Sequence, residues 1–330
     1  MGVKEEVLRT LRTSSAEYIS GQVLAEELGV SRHAVWKAID GLRNEGYEVE
    51  AVTHKGYRLT HASDSLSAEG VMTFLSANSP FKLEYHGCID STNNRARDLA
   101  ENNADDWTVV LAGEQTAGRG RMGRSFYSPS SSGIYMSIVV RPRCDVKHAN
   151  MLTIAAAAAV AESIEAILDV NVSIKWVNDL FVAGRKVCGI LTEASVGVEE
   201  QTLRYAVVGI GINVAPPENG FPEALDHVAT SILQSVPDTE IRNRLVAEIL
   251  TRFKPYAENL LQREYLPVYR ERLMVIGKNV TLHRGRDIEE VFVRELTDDG
   301  TLVVDTIDGL QKEIASGEVS LRMGIGGDIQ

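Results

Sequence analysis

Residues 112–129 concentrate the chemistry of the chain. Gly118, Gly120 and Gly123 alternate there with Arg119, Arg121 and Arg124, and no acid occurs between Glu114 and Asp145. Glycine costs little at φ > 0 and lets several N–H groups converge on one point, which binds anions. Arginine adds planar, forked donors suited to phosphate and carboxylate. The stretch predicts a loop that an anionic ligand closes. Its letters also fit G-x-G-x-x-G, but that fingerprint needs a helix directly after it. Ser125-Phe-Tyr-Ser-Pro-Ser-Ser-Ser-Gly is turn chemistry instead. A solvated basic loop without function is the plain alternative.

A second group is spread along the chain. Lys186 stands beside the apolar Val-Cys-Gly-Ile-Leu run. A lysine buried there needs an anion, whereas one on a turn needs only water. Asn178 and Asp179 lie between apolar runs nearby. Ser91, Thr92 and Asn93 open a helical stretch; they fit ordinary capping, or a neutral polar ligand such as a ureido ring. Gly209 and Gly211 inside a strand predict close approach of a ligand or a neighbour. Cys88, Cys144 and Cys188 are odd in number and far apart. They suggest neither a disulfide frame nor a fixed metal site, and they fit a reducing cytoplasm.

The elements that must position these residues follow in chain order. A helix over 4–11, a second over 20–29 and a Ser31-capped third to about Glu45, stopped by Gly46, read as a helix-turn-helix. Val35, Ile39 and Leu42 mark the buried face of the third helix. The paired strands after Tyr47 make the unit a winged helix with His54 and Lys55 at its tip. Ser31, Arg32, His33, Trp36 and Lys37 then form a DNA-facing set with the tip, because the second helix of this motif enters the major groove. Residues 1–62 hold eight Lys/Arg against nine Asp/Glu. Phosphate neutralisation is therefore weak here, and a winged helix used only for protein contacts stays open. Strands are expected at 81–86, 107–112, 133–141 and 203–214, and a buried alanine-rich helix at 149–168. Two strands are expected across 172–193, and one long helix from Asp238 to about Tyr265. Five short strands after Val275 suggest a small SH3-like barrel, and the tail from Gly324 reads as disordered. A formal charge of −12 argues against a non-specific nucleic-acid coat. No stretch of about 18 apolar residues is evident, so no membrane span is expected.

Four motifs in this order resemble those of biotin–protein ligases, the biotin–[acetyl-CoA-carboxylase] ligase family: Gly118-Arg-Gly-Arg-Met-Gly123, Lys175-Trp-Val-Asn-Asp179, Gly184-Arg-Lys-Val-Cys-Gly-Ile-Leu191 and Gly209-Ile-Gly-Ile-Asn213. Each motif alone is weak; their combination, over nearly the whole chain, is specific. With the winged helix in front, the chain is similar to the bifunctional members that also repress the biotin operon. The resemblance implies an α+β protein: a winged helix-turn-helix domain over 1–63, a linker over 64–80, a central α/β ligase domain with a mixed sheet over 81–272 and an SH3-like β-barrel over 273–324. It implies that ATP and Mg²⁺ activate biotin to biotinyl-5′-AMP, and that a lysine of the biotin carboxyl carrier protein takes the biotin.

Residue by residue, the resemblance makes Ser91, Thr92, Asn93, Gln115, Arg119, Gly120, Arg121 and Lys186 the biotin contacts. Gly118, Arg121, Arg124, Phe126 and Asn213 fall to the nucleotide, and Lys186, Arg119, Arg121 and Asp179 to catalysis. Operator DNA of biotin genes and a homodimer formed when adenylate is bound, as corepressor, are the further implied partners. Val177 stands where the family usually has proline, which predicts a looser turn. Phe126 stands where some members carry tryptophan. A ligase without regulation, a transcription factor that merely senses a small molecule, and a lipoate ligase are the competing readings. The third lacks the Gly-Arg-Gly-Arg-x-Gly loop, and a sensor needs no base for an incoming amine.

Overall fold

The structure is a computed structural model. It describes residues 2–14, 17–44, 47–61, 64–196, 202–237, 239–284, 287–323 and 327–329. The expected helix stop at Glu45–Gly46 and the expected helix start at Asp238 lie outside these residues.

Three helices, α1 (Val3–Thr13), α2 (Gly21–Glu27) and α3 (Arg32–Asn44), precede the antiparallel pair β1 (Glu48–Val52) and β2 (Gly56–His61). Serine side chains start the second and third helices. Ser20 accepts from the Val23 amide and Ser31 from the Ala34 amide, both at 3.1 Å, which satisfies N–H groups the helix leaves free. Val7, Leu8, Leu11, Leu24, Val35, Ile39 and Leu42 form a closed core under them.

The stretch 64–80 is anchored at its start. Asp64 accepts from Arg242 Nε at 2.7 Å and from the Arg242 amide at 2.8 Å, with both side chains buried. Burial pushes the Asp64 carboxyl above its ordinary value, against the pull of Arg242. The short helix α4 (Ala68–Met72) follows; its Ser67 cap accepts from the Gly70 amide and its own amide donates to Asn243.

The central sheet orders its strands β3-β4-β5-β9-β8-β7-β6. In chain order these are β3 (Lys82–His86), α5 (Thr92–Glu101), β4 (Thr108–Ala112), β5 (Gly133–Val140), α6 (Ala149–Ile167), β6 (Ser173–Lys175), β7 (Asp179–Val182), β8 (Arg185–Val196) and β9 (Leu203–Asn213). β3 and β4 run parallel, joined through α5, and the other pairs are antiparallel, so the sheet is mixed. The region expected as two strands holds three, because the chain turns at Trp176–Asn178 as well as at Ala183–Gly184. Ala155 to Ala159 are fully buried. By length and composition alone Val146–Ile167 could cross a bilayer, but 72% of its apolar window is buried inside the fold, as in a core helix.

After α7 (Glu223–Asp226) the long helix expected to run to about Tyr265 ends sooner: α8 spans Ile241–Glu258, and a separate helix, α9 (Tyr265–Arg272), begins where the first was expected to stop. Pro255 removes a donor from the last turns, and Arg263 adopts φ 62° between the helices. The C-terminal strands are β10 (Asn279–Arg284), β11 (Asp287–Leu296), β12 (Leu302–Thr306), β13 (Gln311–Ile314), β14 (Glu318–Met323) and β15 (Gly327–Ile329). They form one antiparallel sheet in the order β13-β12-β11-β10-β14-β15. Part of the tail read as disordered thus pairs with β14; Gly324 to Gly326 and Gln330 lie outside the described residues. Val280, Leu282, Val293, Leu302 and Val304 share one hydrophobic core with α6 and the central strands. Trp176 donates its indole N–H to Gly300 O at 3.1 Å, a further tie between the two sheets.

Candidate functional site

The start of α5, the loop after β4 and the strands β7, β8 and β9 enclose one cleft. Ser91, Thr92, Asn93, Gln115, Arg119, Gly120, Arg121, Arg124, Phe126, Asp179 and Lys186 all line it, although they span 96 positions of sequence from Ser91 to Lys186. Gly118 and Asn213 are not among its lining residues. Gly118 sits where a Cβ would press on Ser128 Oγ at 2.7 Å, and Asn213 ends β9 opposite Gly133. No described group of three or more His, Cys, Asp and Glu could hold a metal ion.

One wall is a neutral polar network. Ser91, Thr92 and Asn93 are buried where α5 begins. Gln115 Oε1 accepts from the Thr92 amide at 2.9 Å and from its hydroxyl at 3.0 Å. Gln115 Nε2 donates to Ser128 Oγ at 2.9 Å. Ser137, on β5, donates to Asn93 Oδ1 at 2.6 Å, and Asn93 Nδ2 donates to Glu193 Oε2 at 2.9 Å. The Asn93 amide is therefore fixed in orientation. Gly209 leaves room for it, since a Cβ there would overlap Asn93 Oδ1, and a Cβ on Gly211 would meet the Phe126 ring at 2.6 Å. The close approach expected at these strand glycines is made by side chains of the site itself.

The opposite wall is charged. Lys186 Nζ lies 2.7 Å from Asp179 Oδ1, with both side chains partly shielded. The anion that a shielded Lys186 requires is thus Asp179. Asn178 bridges the groups around it: Nδ2 donates to Asp179 Oδ1 at 2.9 Å, and Oδ1 accepts from Arg121 Nη1 at 2.8 Å. Lys175, buried behind Asp179, has its ammonium pushed below the ordinary value by burial, while Asp179 pulls it up. Val177 is also buried, and Tyr269 donates its hydroxyl to the Val177 carbonyl at 3.0 Å. The turn expected to be loose without proline is therefore packed. Burial raises the Tyr269 phenol well above its usual value, which keeps it a neutral donor.

Three ion pairs and hydrogen bonds hold the arginine loop across the cleft. Arg119 makes a two-pronged contact with Glu193, at 2.9 and 3.0 Å. Arg121 reaches Asn178, and Arg124 reaches Glu318 of β14 at 2.8 Å. The sequence reading missed Glu193, Ser137 and Glu318, and left Asn178 without a role. Glu193 had one signal, an acid placed just after an apolar strand run; Glu318 had none, because it arrives from the other sheet. The arrangement offers four cations, the Asp179 carboxylate beside Lys186 and a neutral polar pocket, which suits chemistry between a phosphate and the carboxylate of an otherwise uncharged molecule.

Residues 85–213 match the Biotin/lipoate A/B protein ligase family, residues 3–58 an HTH domain and residues 275–322 the Biotin protein ligase C terminal domain. The chain is similar to the Bifunctional ligase/repressor BirA of Bacillus subtilis (strain 168), 36% identical over 97% of this chain and 98% of the relative. It is 32% identical to the protein of the same name from Escherichia coli (strain K12), over 94% of each. Among solved structures, a biotin protein ligase from Aquifex aeolicus in complex with biotin and ATP superposes with a TM-score of 0.59 at 29% identity, covering 74% of this chain and 99% of that one.

Proposed function

Because the chain belongs to the biotin–protein ligases that are also repressors, we propose that its cleft joins biotin to ATP and that Lys186, Arg119, Arg121 and Asp179 carry the chemistry. The observation that supports this most is the Lys186–Asp179 pair, 2.7 Å apart in a cleft crossed by three loop arginines. In the first step a carboxylate oxygen of biotin attacks the α-phosphorus of ATP, and pyrophosphate leaves. Negative charge builds on the phosphoryl oxygens, where Lys186, Arg119 and Arg121 offset it as fixed groups. A Mg²⁺ ion carried by the ATP phosphates would add to that offset without a dedicated protein cage. In the second step the neutral amine of a carrier lysine attacks the acyl carbon, and AMP leaves as the amide bond forms. Asp179 takes the proton of the incoming amine.

Ser91, Thr92, Asn93 and Gln115 face the neutral ring end of biotin, with Gly120 at its carboxylate end. Phe126, Arg124, Gly118 and Asn213 serve the nucleotide, the last two through the loop backbone and the end of β9. Biotinyl-5′-AMP orders loop 112–129 and acts as corepressor by favouring a homodimer that sets two winged helices on operator DNA. The carrier protein competes for the monomer, and the cytoplasm is the compartment of both activities. The C-terminal sheet closes as an SH3-like barrel, within domains bounded at 63, 80, 272 and 324. The deciding experiment is incorporation of labelled biotin into a carrier domain with ATP and Mg²⁺, run beside lipoate. Biotin alone is expected to be transferred; failure with both acids overturns the reading. Sedimentation with and without adenylate tests the dimer, and an unchanged monomer–dimer constant refutes the coupling.

A further inference from the structure

Trp36 has no place in the core of the winged helix. Val35, Ala38, Ile39 and Leu42 of α3 face that core, whereas the Trp36 side chain is 52% exposed. The other two tryptophans, Trp107 and Trp176, are buried. Half-exposing the largest apolar side chain on a helix surface forgoes the hydrophobic gain of burying it. The indole is nevertheless held in place: the His33 ring stacks on it, with centroids 5.7 Å apart and planes 21° from parallel. The pair lines a groove whose far side is the β1–β2 turn, with His54 and Thr53, and whose end is Gln22 at the start of α2. Arg32 and Lys37 flank it on α3, both exposed.

The charge balance of the domain sharpens the point. Eight basic residues against nine acidic ones leave little net attraction for phosphate. Contacts to base edges must then carry a large share of any useful discrimination. In the major groove the apolar feature of a base edge is the C5-methyl group of thymine. A flat, stacked indole projecting from a recognition helix meets that group by area and polarity, as a lysine or serine cannot.

We propose that Trp36, oriented by His33, reads a thymine methyl group in the major groove and is a specificity-determining residue for the DNA this chain binds. The proposal rests on the reading of the winged helix as a DNA-binding domain, and its test separates the two. The full chain, with biotin, ATP and Mg²⁺, is used to enrich sites from a pool of random-sequence duplexes. The enriched duplex is then remade with deoxyuridine for thymine, one position at a time, which removes only the methyl group.

The expected result is one thymine per half-site whose replacement weakens binding of the wild type by about tenfold, within the usual cost of one wrong base pair. Trp36→Ala should lose a similar factor on the thymine duplex and show no further loss on the deoxyuridine one. Trp36→Phe should recover part of both. Acrylamide quenching of tryptophan emission should fall when the enriched duplex is added to the wild type, because Trp36 is the exposed one. If no duplex is enriched by the wild type, the domain does not read DNA and both statements fall. If a site is enriched but Trp36→Ala binds it with the same affinity and the same thymine preference, the DNA reading stands and the role of Trp36 is overturned.

Discussion

Lys186 reaches Asp179 by lying across Gly189. Its Nζ is 2.7 Å from Asp179 Oδ1, and a Cβ on Gly189 would stand 3.3 Å from both Cε and Nζ of Lys186. Asp179 pairs with Gly189 in the ladder, while Lys186 pairs with Phe181 across a bulge between Leu180 and Phe181. The bulge and the missing side chain together let a lysine from one strand meet an acid two residues away on its neighbour.

Removing the lysine should strike the first chemical step. Lys186→Ala is expected to lower adenylate formation by about 100-fold or more, the range for one preorganised electrostatic group. Asp179→Asn should act most on transfer from preformed adenylate to the carrier, by about 100-fold, as for loss of a general base. Single-turnover measurement of each step checks the division. Near-normal adenylate synthesis by Lys186→Ala would remove it from the role.

Arg121 holds the loop to Asn178 at 2.8 Å. Arg121→Gly should keep the fold, since this side chain lies in the cleft and not in the core. It should let adenylate leave about tenfold faster or more, as for a charge-assisted hydrogen bond of roughly 1.5–3 kcal/mol. Release of labelled adenylate under chase gives the rate, and a rate equal to wild type contradicts the assignment.

Gly209 and Gly211 support different ends of the cleft. Gly209→Ala displaces Asn93 and should raise KM for biotin more than KM for ATP. Gly211→Ala pushes on the Phe126 ring, which its Cβ would meet at 2.6 Å, and should raise KM for ATP more than for biotin. Steady-state kinetics with each substrate varied in turn reads the two ratios. Equal effects from both variants would mean that the two ends are not separately built.

Lys175 gives a pH signature. Burial holds its ammonium below the ordinary value of 10.5. Between the lowered folded value and 10.5 the unfolded chain binds more protons than the folded chain, so this group makes stability rise with pH there. Lys175→Met removes that contribution. The melting temperature of the wild type relative to this variant should therefore increase as the pH is raised toward 10.5. A difference that stays flat would mean that Lys175 is solvated.

Short-range signals were legible in the chain. Ser31 before Val35, Ile39 and Leu42 is enough to start α3 and choose its buried face, because capping and periodicity are short-range. The alternation of Gly118, Gly120 and Gly123 with arginines marks an anion loop on its own, and the absence of helix chemistry after it excludes a dinucleotide site. Asp179 and Lys186 could be singled out as an acid and a lysine in apolar company. Which side chains pair with which became visible only in the folded chain. Glu193 receives Arg119 and Asn93 from two distant segments, Glu318 reaches Arg124 from the C-terminal sheet, and Asp64 pairs with Arg242 far along the chain. The extra turn before β7 also depends on a neighbour, since the Tyr269 hydroxyl donates to the Val177 carbonyl there. Propensity acts over a few residues, whereas a charge or an amide is satisfied by whatever the fold places within about 3 Å, and no spacing rule along the chain encodes that distance.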